Sequence, residues 1–241
     1  GRRVSPQDGF AIQQSTSTVP TPRDGNGHPD MTGMWGANFP SPLGNPGLRK
    51  MGALEPDQAV MQRAAQWNKP LYKPEYWAKV RSLDFSRADV DPNYGCYVPS
   101  GVPRQNVPGR IIQTDDQIVL FNGNENMIRI LPLSEAPQER NPDDYEYSTM
   151  NGMGLARWDG DTLVIDSVGF GDVSWLGWEG YFHTDQMTVT ERFRRDGDLL
   201  FYNFTVNDPD VLAEPWTSIT YVRRAGTNVT RLDEVLPCEE R

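Results

Sequence analysis

The chain is expected to be an all-β fold with a few helices, in which about eight antiparallel strands close into an up-and-down barrel; a two-sheet β-sandwich is the alternative. Three observations predict it. Met187, Val189 and Phe193 alternate with Thr188, Thr190, Arg192 and Arg194, the period of two of a half-buried strand. Asp196-Gly197-Asp198 then reverses the chain into the apolar run 199–206, and an Asp-Gly pair supplies the positive φ that a tight hairpin needs. Short apolar runs separated by such turn residues recur from 110 to 224. Closing a series of this kind removes exposed sheet edges and leaves an interior that side chains or one small ligand can fill.

In chain order, residues 1–50 are rich in Pro, Gly, Ser and Thr and read as an extended arm. Within them Asp24, Asn26 and Asp30 resemble the start of a calcium loop, but Trp35 stands where a bidentate Glu is required, so a turn is expected. Residues 51–109 read as a helical and loop segment packing on the barrel. Glu55-Pro56-Asp57 opens one helix to about Trp67, and Lys73-Pro74-Glu75 opens another to about Leu83, each with Pro in the first turn and acids near its start. The stretch 91–104 is too rich in Pro and Gly for regular structure. Residues 110–241 are the barrel itself: strands at 110–114, 117–122 and 127–131, a polar excursion at 134–148, strands at 154–158 and 161–167, the hairpin at 187–206, and a last strand within 216–224. One domain with decorations accounts for the whole chain.

A net charge of -10 over 241 residues argues against nucleic acid and anionic membranes as partners, since both select clustered Lys and Arg. A small molecule or another protein is the expected partner. No apolar run is long enough for a membrane-spanning helix, and the first residues carry no signal-peptide core, so the chain reads as a mature form. Cys96 and Cys238 read most economically as a disulfide tying down the tail, with two separate buried thiols as the other reading. Asn203-Phe-Thr205 and Asn228-Val-Thr230 match the glycosylation acceptor pattern, but the first lies inside an expected strand and neither carries weight.

Several phrases occur together: Gly27-His-Pro-Asp-Met-Thr-Gly-Met-Trp35, Cys96 with Gly101-Val-Pro-Arg104, Arg157-Trp-Asp-Gly-Asp-Thr-Leu-Val-Ile-Asp-Ser-Val-Gly-Phe170, His183-Thr-Asp185 leading into Val189-Thr-Glu-Arg-Phe193, and Asp208-Pro-Asp followed by Pro215-Trp-Thr217. With them the chain resembles, over residues 20–240, a bacterial family of secreted or periplasmic proteins that is lipocalin-like in topology only. The resemblance implies export, and a family Cys close to the end before acidic residues, matched by Cys238-Glu-Glu240, supports the disulfide. It implies no reaction. Residues 134–148 depart from the family's pattern.

His183 is the leading chemical candidate, because imidazole titrates near neutrality and serves as acid or base without large tuning. Asp185, on the same face of an extended segment, is the candidate to orient it. Glu191 falls on the apolar face of its strand, so it either points inward or is rotated outward by a bulge; inward, it is either a second acid or half of a buried ion pair with Arg157 or a neighbour of Arg192, and the ion pair is slightly favoured. Arg157 is the candidate oxyanion or carboxylate partner, with Trp158 beside it and Arg104 in the Pro-rich loop as further ligand contacts. Trp175, Trp178, Tyr181 and Phe182, interrupted by Gly, suggest either an aromatic wall for a ligand or a plug at one end of the barrel. No nucleophile elbow, phosphate loop, Cys-x-x-Cys or metal-ligand spacing is present, so neither a metal nor a cofactor is expected, although the abundant acids leave a calcium site open.

These readings combine into three function hypotheses. The first is an exported, cofactor-independent acid-base enzyme (lyase, isomerase or hydrolase) acting on a small aromatic, hydrophobic or sugar-like molecule. The second is a small-molecule carrier. The third is an assembly protein forming a homo-oligomer through the N-terminal arm.

Overall fold

The computed structural model describes residues 16–39, 68–83, 102–104, 107–122, 127–137, 141–144, 149–176 and 181–226. The expected first helix, both cysteines and Trp178 lie outside them. Ten strands form one sheet: β1 (Gly33–Phe39), β2 (Arg110–Gln113), β3 (Gln117–Asn122), β4 (Met127–Ser134), β5 (Met153–Asp159), β6 (Thr162–Val168), β7 (Thr188–Asp196), β8 (Leu199–Asn207), β9 (Trp216–Thr217) and β10 (Tyr221–Ala225). Strand β10 pairs with both β1 and β8, which closes β1–β8 and β10 into a nine-stranded barrel and leaves β9 as a short flap on β8. The strands joined by short turns are antiparallel, and positive φ at Gly160 (57°) and Gly197 (58°) supplies the two tightest reversals.

The barrel is mixed because one neighbouring pair is parallel: Leu133 lies opposite Ala156 and Ser134 opposite Arg157. Parallel neighbours cannot be joined by a tight turn, and the polar excursion supplies the chain length they require between β4 and β5. Strand β1 lies inside what composition marks as an extended arm. Its glycines, Gly33 and Gly36, hide the alternation, yet β1 fills the gap between β10 and β2 that would otherwise leave two open edges. The second expected helix is present as a 3-10 turn (Pro74–Tyr76) running into α1 (Trp77–Ser82). No helix of the described residues is long and apolar enough to cross a membrane.

The alternation on β7 holds as the sequence predicts, with Val189, Glu191 and Phe193 buried inward. They pack with Leu163 and Ile165 of β6 and with Leu200, Tyr202, Phe204 and Val206 of β8. Strand β4 runs against the expectation from hydrophobicity. Met127, Arg129 and Leu131 point inward, whereas Ile128 and Ile130 are 57% and 63% exposed. Asn203 is buried, which removes the first glycosylation sequon from the surface.

Residues 16–32 cross one end of the barrel. Arg23 forms a bidentate pair with Asp161 (2.7 and 2.9 Å), the Ser17 hydroxyl donates to Asp198 (2.8 Å), and His28 stacks on Trp158 with ring centroids 4.7 Å apart. The Asp24 carboxylate accepts the backbone N–H groups of Asn26 and His28 and the side-chain amide of Gln113, so the calcium-like segment is a turn. The opposite end is covered by Tyr72, α1 and the described residues of 170–176 and 181–187, with Val211 and Leu212 packed in the same core.

Candidate functional site

Two polar clusters sit in otherwise apolar surroundings. The first forms at the covered end, where the chain leaves β6 and returns to β7. Residues 174–176 and 181–183 lie side by side: Trp175 bridges Phe182, and the Leu176 N–H donates to the Tyr181 carbonyl. This brings the Ser174 hydroxyl within 2.8 Å of His183 Nε2. The other ring nitrogen, Nδ1, lies 2.9 Å from the Thr184 carbonyl. A carbonyl only accepts, so Nδ1 carries the proton and Nε2 accepts from the serine hydroxyl.

Thr184 is itself fixed. Its N–H (2.7 Å) and hydroxyl (3.0 Å) both donate to the carboxylate of Asp208, a fully buried residue. Asp208 thus holds the residue that holds the imidazole. His183 is 2% exposed and Phe170 presents its ring edge-on at 6.4 Å. Burial lowers the His183 pKa, and the Thr184 carbonyl and the charges of Asp208 and Asp172 offset only part of that. The imidazole is therefore neutral near pH 7. Asp185, the acid expected to orient it, is exposed and makes no bond to the ring; backbone geometry at the adjacent Thr184 does that work instead.

The second cluster lies inside the barrel wall. Glu191 Oε2 is 2.7 Å from an Arg129 guanidinium nitrogen, its Oε1 accepts the Tyr202 hydroxyl (3.1 Å), and Arg129 also reaches the Ser167 hydroxyl (3.3 Å). Gly154 on β5 leaves the room: a Cβ there would stand 2.4 Å from Leu131 Cδ2 and 3.0 Å from Ser167 Oγ. Burial, and then the Glu191 charge, raise the Tyr202 phenol well above its usual pKa. Glu191 thus points inward and forms a buried ion pair, but with Arg129 and not with Arg157 or a neighbour of Arg192. Arg157 lies on the outer face, its Nε 3.4 Å from Asp166, so it shares neither cluster.

The aromatic residues divide between the two ends. Trp175, Tyr181 and Phe182 are buried at the His183 end, where the Tyr72 ring stacks on Tyr181 and its hydroxyl donates to the Phe182 carbonyl, while Lys79 lies 3.7 Å above the Phe182 ring. Among the described residues they form a plug and not an open wall. Trp158 is at the other end against His28. Arg104 is buried beside Val102 and Val107 of the core.

Ser174, Asp208 and Arg129 are the residues that sequence reasoning misses. Only Arg129 leaves a signal there, because alternation places it on the side of Met127 and Leu131. Among the described residues no group of three or more His, Cys, Asp or Glu side chains is arranged to hold a metal ion. Comparison with protein-family models, with curated proteins and with solved structures gave no match to this chain.

Proposed function

We propose that this chain is an exported, cofactor-independent enzyme that works by acid-base chemistry on a small molecule, with His183 as its base. The contact between Ser174 and His183 Nε2 carries the reading. A neutral imidazole with its free lone pair on a hydroxyl can take that proton as the oxygen attacks a carbonyl, and Nδ1–H on a fixed acceptor keeps the ring in the required tautomer. Of lyase, isomerase and hydrolase, the pairing favours a hydrolase. Asp208 acts as a positioning residue through Thr184. Ser174 is buried but adjoins exposed Val173, so the pair lies just beneath the surface. Export rests on the resemblance of the sequence motifs.

A serine-directed fluorophosphonate, applied to the full chain and followed by peptide mass spectrometry, tests the reading. Labelling of Ser174 is expected, and it should vanish in His183→Ala. On a panel of aryl esters, Ser174→Ala and His183→Ala should each lose about a hundredfold or more of the turnover. An unlabelled Ser174 combined with no turnover across the panel overturns the proposal.

A further inference from the structure

Arg223 is an inward-facing, half-buried cation without an acceptor among the described residues. Strand β10 sets Tyr221, Arg223 and Ala225 on one face; their register partners Tyr202, Leu200 and Trp35 all belong to the core, so the Arg223 side chain leaves the sheet toward the interior. Its Nε is buried without a hydrogen-bond partner, and among the described residues no carboxylate, carbonyl or ring engages the guanidinium. Burial lowers its pKa with no acid to offset it. The Tyr221 hydroxyl, two positions back on the same face, likewise has no hydrogen-bond partner among the described residues.

The neighbouring row adds charge of the same sign. Leu200 lies opposite Arg223 on one side and Arg195 on the other. Arg195 donates to the backbone carbonyls of Gly197, Asp30 and Thr32 and lies over the Trp35 ring at 5.0 Å, while the charges of Asp30 and Asp198 offset part of the effect of its burial without forming an ion pair with it. Two guanidinium groups thus share one inner row with no contacting carboxylate among the described residues. Folding gains nothing from such a group: desolvation costs stability and no ion pair returns it. An acceptor from outside the chain would complete it.

The chemistry of the surroundings specifies that acceptor. A guanidinium fork matches the two oxygens of a carboxylate. Side chains two apart on a strand are about 6 to 7 Å apart, close enough for the Tyr221 hydroxyl to donate to the same group. The Tyr202 ring stands 6.1 Å from that of Tyr221 and 4.6 Å from that of Phe193, which offers aromatic faces to a ring. We propose that the barrel interior binds a small aromatic carboxylate, its carboxylate on Arg223 and Tyr221 and its ring against Tyr202 and Leu200. With a net charge of -10 on the whole chain, anion binding is a local property of this row. The site does not depend on His183 acting as a base.

The test titrates benzoate and 4-hydroxybenzoate into the full-length chain by calorimetry, with benzamide as the uncharged counterpart. Saturable binding of at least one carboxylate is expected, with benzamide about tenfold weaker or worse. Arg223→Met should weaken carboxylate binding about ten- to a hundredfold while leaving benzamide unchanged, and Tyr221→Phe should weaken it several-fold. Arg223→Met should also melt at the same temperature as the parent or above it. Equal binding of benzoate and benzamide, unchanged carboxylate binding in Arg223→Met, or no binding of either carboxylate in the millimolar range overturns the proposal. So does a variant that no longer folds, because the guanidinium would then be part of the framework.

Discussion

Arg129 and Arg223 are both inward-facing arginines of the same barrel, and they are completed in opposite ways. Arg129 meets a carboxylate at 2.7 Å and a hydroxyl at 3.3 Å, and the carboxylate is capped in turn by the Tyr202 phenol. Arg223 meets none of these among the described residues. Both pay the desolvation of a guanidinium, but only at Arg129 does the protein recover it. The difference separates polar groups that specify the fold from polar groups that the fold merely tolerates: Arg129 is the deeper of the two, and it is the one with partners. The Ser174–His183–Thr184–Asp208 chain is a third case. It is closed like Arg129, yet one of its links is a hydroxyl-to-imidazole contact that is chemically competent.

The largest expected effect follows from the closed pair. Glu191→Ala strands a buried guanidinium and removes the acceptor of the Tyr202 hydroxyl, so it should cost about 3 to 5 kcal/mol in urea denaturation. The double replacement Arg129→Met with Glu191→Leu should recover much of that loss, because a well-packed apolar pair carries no desolvation penalty. A loss below about 1 kcal/mol in Glu191→Ala would show that water reaches Arg129 freely, and the contrast with Arg223 would dissolve.

That contrast was only half legible in the sequence. Alternation on β7 puts Glu191 on the apolar face, inward unless a bulge rotates it, since the side-chain period on a strand is two and its neighbours Val189 and Phe193 fix the phase. The same rule applies to β4 but competes there with composition, because burying Arg129 exposes two isoleucines and hydrophobicity alone would reverse the strand. The partner of Glu191 was out of reach, as Arg129 lies on β4, which touches the β5–β8 portion of the wall only through the parallel β4–β5 junction. Strand β1 was hidden by glycines. Ser174 and Asp208 carried no periodic signal because loops position them, and the relation of Asp208 to Thr184 arises from packing across 24 positions. Asp185, two residues from His183, drew attention by proximity alone. Residues two apart share a face only while the segment is extended, and the turn at Asp185 and Gln186 takes the carboxylate away from the ring.

A smaller effect sharpens the comparison at His183. Its folded-state pKa is lowered by burial relative to the ordinary 6.5 of the unfolded chain. The unfolded state therefore binds the proton first as pH falls. The stability that depends on the neutral imidazole is complete above about pH 6.5 and is lost progressively below it, until the folded-state pKa is passed, at no more than about 1.4 kcal/mol per pH unit. Denaturation midpoints at pH 7.5 and 5.0 should diverge in the parent more than in His183→Gln, which cannot titrate. Parallel loss in the two proteins would mean that the Ser174 contact is made with the ring open to solvent, and the neutral base of the proposed reaction would go with it.

The smallest effect is expected where an ion pair has ideal geometry and no enclosure. Arg23 holds Asp161 through two nitrogens and also donates to the Gly27 carbonyl (2.6 Å), but both charged groups are exposed. The pairing raises the Arg23 pKa and lowers that of Asp161, yet water competes for every bond involved. What holds residues 16–32 across the end of the barrel is instead the burial of Met31 and Trp35, the indole N–H on the Met31 carbonyl (3.1 Å), and the His28 ring lying flat on Trp158. Arg23→Ala should accordingly melt at the parent temperature within measurement error at both low and high salt, while His28→Ala lowers the midpoint slightly. If Arg23→Ala approached Glu191→Ala in its effect, partner geometry alone would set the value of a charge in this protein, and enclosure would lose the role assigned to it at Arg129.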